Sequence, residues 1–191
     1  MSEQHTHTPT ISQAEAAAES RVWYAMRVSY RQELKVKQDL DARGIESFIP
    51  MKYTLVVRRA RRVKVLVPII HDLIFVLTEP SVMKDLKAHT ALPLFYIMNP
   101  ATRKPVIVPH DQMQNFIAVA GTYDEQLEYI QDDFENLKRG DRVKVMGGLF
   151  EGAEGVLLKT RSKHRVVVSI EGIVAVVTAE VHPSLLQKIP G

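Results

Sequence analysis

Cysteine is absent from the 191 residues, which excludes disulfides, thiolate zinc sites and cysteine nucleophiles. No uncharged apolar run approaches the ~20 residues of a membrane-spanning helix. The first twenty residues carry no apolar core of a secretory signal. Together these absences lead us to expect a cytoplasmic protein with no membrane partner. The seven histidines show no metal-ligand spacing: His5 and His7 sit in the polar start, and His71, His89, His110, His164 and His182 are scattered. No phosphate loop, nucleophile motif or cofactor fingerprint is visible, so no catalytic residue, metal or cofactor is assigned. The pair His71-Asp72 lacks a third group for acid–base chemistry and reads as a surface turn.

What is present is an uneven distribution of charge. The net charge is only +3, but residues 1–19 carry -3, residues 20–120 carry +8, residues 121–136 carry -6 and residues 137–191 carry +4. Two basic blocks joined by an acidic bridge point to a polyanionic neighbour.

The apolar pattern divides the chain the same way. Residues 1–20 are polar and alanine-rich and read as a mobile tail. Val22–Val28 is rich in strand formers. Ser29 and Gln32 can form a capping box for a helix running to about Arg43, with Gly44 as its left-handed exit. Residues 47–57 and 63–70 flank the run Arg58-Arg59-Ala60-Arg61-Arg62, which predicts a β-hairpin with a cationic tip. Leu73–Leu77 is uninterruptedly apolar, as in a central buried strand. Residues 81–89 predict a short helix and 95–98 a short strand. Pro109 opens a helix whose Met113, Phe116, Ile117 and Ala120 follow helical spacing up to Gly121. The expected fold class is α+β, an antiparallel sheet with helices covering one face, over residues 21–120. Residues 121–136 read as an acidic linker. In 137–191, short strands at 142–146, 155–158, 165–170 and 174–178, punctuated by glycine, predict a small SH3-like β-barrel.

Two segments carry a family resemblance. Gly140-Asp141, Val143, Val145, Gly148, Phe150, Gly152 and Gly155 resemble the KOW motif: a Gly-Asp turn, alternating valines, a Gly-x-Phe-x-Gly loop and a late glycine. Leu149 stands where the family most often has proline. In the first block, Trp23-Tyr24, the helix ending near Gly44, Phe48-x-Pro50, Pro68 and Ile107-Val108-Pro109 resemble, in order, the NGN domain of the NusG family. The long tail and divergent details are more similar to its operon-specific RfaH- and UpxY-like paralogues.

The resemblance implies an NGN domain that binds the clamp helices of the RNA polymerase β′ subunit and favours processive elongation. It also implies a KOW domain that recruits termination factor Rho or a ribosomal protein. The family's clamp-gripping Phe-Pro-x-Tyr segment corresponds here to Ile70-His71-Asp72-Leu73, so Ile70 and Leu73, with Tyr24, are the candidate polymerase contacts. Core packing is the alternative for Ile70 and Leu73, with Trp23 facing the core. Arg58, Arg59, Arg61, Arg62 and Lys64 are candidate contacts to DNA, RNA or an acidic polymerase loop, or else a solvated tip. Lys84 and Lys87 are further candidates for the same contacts; they lie about where RfaH-like relatives carry a polar polymerase motif, which is absent here. Arg161, Lys163, His164 and Arg165 form a basic turn open to solvent, nucleic acid or the ribosome. Density of β-branched residues over 166–170 and 173–177 predicts a sheet there rather than a helical alternate form. The expectation is a monomeric, non-enzymatic transcription elongation and antitermination factor. The alternatives are a housekeeping NusG acting with Rho and the ribosome, or a ribosome-associated RNA-binding KOW protein.

Overall fold

The computed structural model describes residues 21–131, 140–160 and 163–190. The expected tail, linker residues 132–136 and Arg161 lie outside the described residues.

Strand β1 (Val22–Val28) is the hub of the N-terminal sheet. It pairs antiparallel with β5 (Leu73–Thr78), with β6 (Leu94–Tyr96) and with the two-residue β7 (Ile107–Val108), while β2 (Glu46–Phe48) extends the sheet beyond β5. Every residue of β5 is buried, a pattern that requires cover on both faces of a sheet. The cover comes from two sides. Helices α1 (Glu33–Ala42) and α2 (Pro80–His89) place Val36, Leu40, Met83 and Leu86 against Tyr24, Met26, Ile74 and Val76. Helix α3 (His110–Ala120) places Met113, Phe116, Val119 and Ala120 in the opposite cluster, with Trp23, Ala25, Phe75 and Leu77. The expectation of helices on one face is therefore corrected: α3 lies on the other.

The start of α1 also differs from expectation. Residues Ser29–Arg31 form a 3-10 turn with Tyr30 and Arg31 at φ 63° and 53°, and the helix begins at Glu33 with no side-chain cap. The Ser29 N–H that Gln32 would have reached donates to the Pro93 carbonyl at 3.0 Å, so the reciprocal bond of a capping box has no donor. Gly44 makes the expected exit at φ 69°.

Strands β3 (Met51–Arg58) and β4 (Arg61–Pro68) form a two-stranded sheet of their own. The connection is two residues, Arg59 and Ala60, at φ 49° and 60°. Two consecutive positive φ values define the hairpin turn that Asn-Gly suits best. A side chain with Cβ in that region costs about 1–2 kcal/mol per residue.

The C-terminal sheet comprises β8 (Glu128–Ile130), β9 (Arg142–Val145), β10 (Glu154–Lys159), β11 (His164–Ile170), β12 (Val174–Val177) and β13 (Leu186–Lys188), in the order β13-β9-β10-β11-β12-β8. It is consistent with a KOW, SH3-like domain, but its pairing does not close into a cylinder: β13 and β8 stand at open edges. The outer edge of β12 is taken by β8, with Tyr129 opposite Val176. That strand comes from the segment expected to be linker, so its acids flank an ordered strand.

The two sheets share an apolar interior. Val143, Val145, Phe150, Val166, Val168, Val174 and Val176 belong to the same buried cluster as Phe116 and Phe75. The Phe116 ring meets Phe75 at 5.8 Å and Tyr129 at 6.5 Å, both edge-on, the geometry aromatic quadrupoles favour.

Candidate interaction surfaces

The Ile70–Leu73 turn is built by a residue that sequence reading passes over. Asp72 takes φ 63°, and its N–H donates to the Glu33 carboxylate at 2.6 Å. Its carbonyl accepts from the Val28 N–H at 3.0 Å. Glu33 is buried, so α1 reaches across to hold the turn with a charge-assisted bond. At the head of a helix an acid looks like an ordinary dipole partner, and nothing local reveals that this one points inward.

The expectation of an exposed apolar patch at Ile70 and Leu73 is corrected: they are 3% and 4% exposed. The turn after β11 lies beside them. Gly172 and Ile173, with Gln131, line a cleft of about 300 Å³ together with Arg27, Ile70, Leu73 and Ile97. Tyr24 does not join them. It is buried in the α1–α2 cluster, 5.7 Å from the Tyr96 ring, whereas Ile70 and Leu73 belong to the cluster of Trp23. Successive residues of a strand face opposite ways, so a sheet covered on both sides buries both Trp23 and Tyr24. Burial raises the pKa values of the Tyr24 and Tyr96 phenols.

The seam between α3 and the C-terminal sheet is part polar. The Asn115 side-chain oxygen accepts from the Glu154 N–H at 2.9 Å. Glu154 also holds Lys144 at 3.0 Å. Asp72 Oδ1, Gln112 Oε1 and Tyr129 Oη are buried with no protein hydrogen-bond partner. Burial, with the neighbouring Tyr123 adding to it, pushes the Tyr129 phenol well above its ordinary pKa.

In the KOW segment, Val143, Val145 and Phe150 are buried. Gly140, Gly148 and Gly152 take φ 154°, 83° and 86°. At Gly155 the reason is contact: a Cβ would run into the Val167 carbonyl oxygen, with Val166 Cγ1 only 2.8 Å away. Arg165, expected in a basic turn open to solvent, is instead folded inward. It donates to the carbonyls of Thr178 at 2.5 Å and Gln126 at 3.1 Å and pairs with Glu128 at 2.8 Å, clamping β8 to its sheet.

The hairpin carries its arginines outward. Arg58, Arg59, Arg61 and Arg62 are exposed, as are Leu55 at 64% and Val57 at 71%. Lys64 separates from them: it pairs with Glu125 at 2.5 Å and lies 4.7 Å from the Tyr53 ring, which meets Tyr123 edge-on. The bond raises the Lys64 pKa and lowers that of Glu125. On α2, Lys84 is exposed. Lys87 is committed, donating to the Leu94 carbonyl at 2.8 Å and lying over the Phe95 and Tyr96 rings. Among the described residues no three His, Asp or Glu side chains group as a metal site, and no helix is long and apolar enough to cross a membrane.

Residues 21–117 match the family model described as "NusG: Transcription termination factor nusG". No curated protein matches the chain. Among solved structures, the one described as "Domain interaction in Thermotoga maritima NusG" is 21% identical, with a TM-score of 0.40, and the alignment covers 91% of this chain and 99% of that one.

Proposed function

Since this chain belongs to the NusG family of transcription factors, we propose that it binds the β′ clamp helices of RNA polymerase through the apolar turn Ile70–Leu73 of an NGN domain spanning residues 21–120. It thereby bridges the cleft and holds the enzyme in its processive state. Members of this family are non-enzymatic, and the proposed role is likewise one of binding. Residues 137–191 form a KOW domain that recruits Rho or a ribosomal protein. The factor is operon-specific, working in antitermination. Arg58, Arg59, Arg61 and Arg62 contact the polyanionic parts of the elongation complex.

One observation carries this reading. The apolar turn shares a cleft with Gly172 and Ile173 of the C-terminal sheet, and the seam between that sheet and α3 leaves Gln112 and Tyr129 polar atoms without protein partners. Each such atom costs about 1–3 kcal/mol when buried. Parting the seam returns them to water and uncovers Ile70 and Leu73, so the described arrangement is the covered state of a separable surface. Tyr24, facing the other way, takes no part.

Retention of the full chain on immobilised core RNA polymerase tests the proposal. Ile70→Asp combined with Leu73→Asp is expected to abolish retention, with folding checked by circular dichroism. Ser81→Ala, exposed on α2, should leave retention unchanged. Undiminished retention of the folded double variant would refute the assignment.

A further inference from the structure

Among the described residues the β3–β4 ribbon pairs with no other strand, and residues 51–68 carry six cations and no acid. Its base is braced by Lys64 on Glu125 and Tyr53 on Tyr123. Its tip is built against local preference. Arg59 and Ala60 occupy a turn that suits Asn-Gly. Arg58 stands directly opposite Arg61 in the register, a like-charge cross-strand pair that destabilises a ribbon. No ion pair among the described residues relieves these four arginines. Local rules broken without a compensating contact mark a site shaped by something outside the chain.

We propose that the ribbon tip enters the major groove of duplex B-form DNA, with its arginines meeting the phosphates that wall the groove. This deepens the role given to these arginines above and does not depend on the polymerase contact. The register places Arg62 opposite Val57 on one face and the Arg58–Arg61 pair on the other, with Arg59 at the turn. Positive charge on both faces suits a cleft with anionic walls on either side, whereas an acidic protein surface would engage one face only. The major groove, about 12 Å wide, admits a two-stranded ribbon. The deep, narrow groove of A-form RNA does not admit side chains. Single strands are bound by stacking bases on aromatic rings, and the ribbon's one aromatic, Tyr53, is already against Tyr123. Leu55 and Val57, exposed below the tip, supply apolar contact to thymine methyls.

Fluorescence anisotropy of the full chain, without polymerase, decides it. The probes are a short mixed-sequence DNA duplex, the RNA duplex and single DNA strand of the same sequence, and poly-glutamate. The DNA duplex is expected to bind at least tenfold tighter than the other three. With four phosphates engaged, log affinity should fall with log salt at a slope of about -3.6, a loss of about 150-fold between 50 and 200 mM. The combined variant Arg58→Ala, Arg59→Ala, Arg61→Ala, Arg62→Ala should remove that slope component and weaken binding at least tenfold. The folded Ile70→Asp, Leu73→Asp variant should bind the DNA duplex like the parent, so the two proposals fail separately. Equal affinity for poly-glutamate, the RNA duplex or the single strand would overturn the groove assignment, as would a quadruple variant that binds DNA like the parent.

Discussion

Replacing Arg165 with alanine gives a quantitative test of how the C-terminal sheet is held. Its guanidinium makes three contacts: the Thr178 carbonyl at 2.5 Å, the Gln126 carbonyl at 3.1 Å and the Glu128 carboxylate at 2.8 Å. The Glu128 side chain is 65% exposed, so that ion pair contributes about 0.5 kcal/mol or less. The arginine itself is largely covered, and each carbonyl bond from a charged donor contributes about 1.5 kcal/mol. The loss is about 3 kcal/mol, concentrated where β8 joins β12. Amide exchange across Glu128–Ile130 should accelerate by about 100-fold, ahead of the amides of β10 and β11. Arg165→Lys should recover less than half, because an ammonium cannot span three acceptors that a planar fork reaches together. Exchange in β8 that stays within threefold of the parent would refute the view of Arg165 as a clamp.

Three further substitutions probe particular residues. Ala60→Gly relieves a positive φ and should stabilise the hairpin by about 1 kcal/mol, read as slower amide exchange in β3 and β4. Tyr129→Phe removes a buried hydroxyl with no protein partner and should stabilise the fold by about 1 kcal/mol in urea denaturation. The raised phenol pKa means the folded chain keeps its proton where the unfolded chain loses it. Stability should therefore fall as pH rises above about 10, and fall less steeply in the variant. Gly155→Ala drives a Cβ into the Val167 carbonyl oxygen and should cost about 3 kcal/mol, lowering the urea midpoint.

Elements whose signal is local were legible in the sequence. The unbroken apolar run of β5, the helical spacing of Met113 and Phe116, and the paired extended segments around four arginines each fixed an element from its own residues. What was not legible depended on distant partners. Ser29 could not be seen to lose its N–H to Pro93, nor Glu33 to turn inward towards Asp72. Glu128–Ile130 carries acid and looks like linker, and it is a strand because β12 offers an unpaired edge and Arg165 a clamp. The same applies to the candidate contacts. Ile70 and Leu73 stand out as apolar residues at a turn, but the cleft they line is shared with Ile173, a hundred residues further along. Tyr24 was set beside them because nothing in its own strand tells that both faces are buried. Lys64 and Lys87 looked like their basic neighbours until Glu125 and the Leu94 carbonyl were found against them.

The central claim is that the Ile70–Leu73 surface is a polymerase contact covered by the C-terminal sheet. Substituting Ile173→Asp removes apolar contact from the covering side without touching the surface itself. Losing a half-buried isoleucine there weakens the cover by about 1.5 kcal/mol, which raises the uncovered fraction, and with it the apparent affinity, by about tenfold. The measurement is the dissociation constant of the full-length Ile173→Asp chain for core RNA polymerase, beside that of the parent. Binding about tenfold tighter is the predicted result; a folded variant that binds core polymerase no better than the parent would contradict the account.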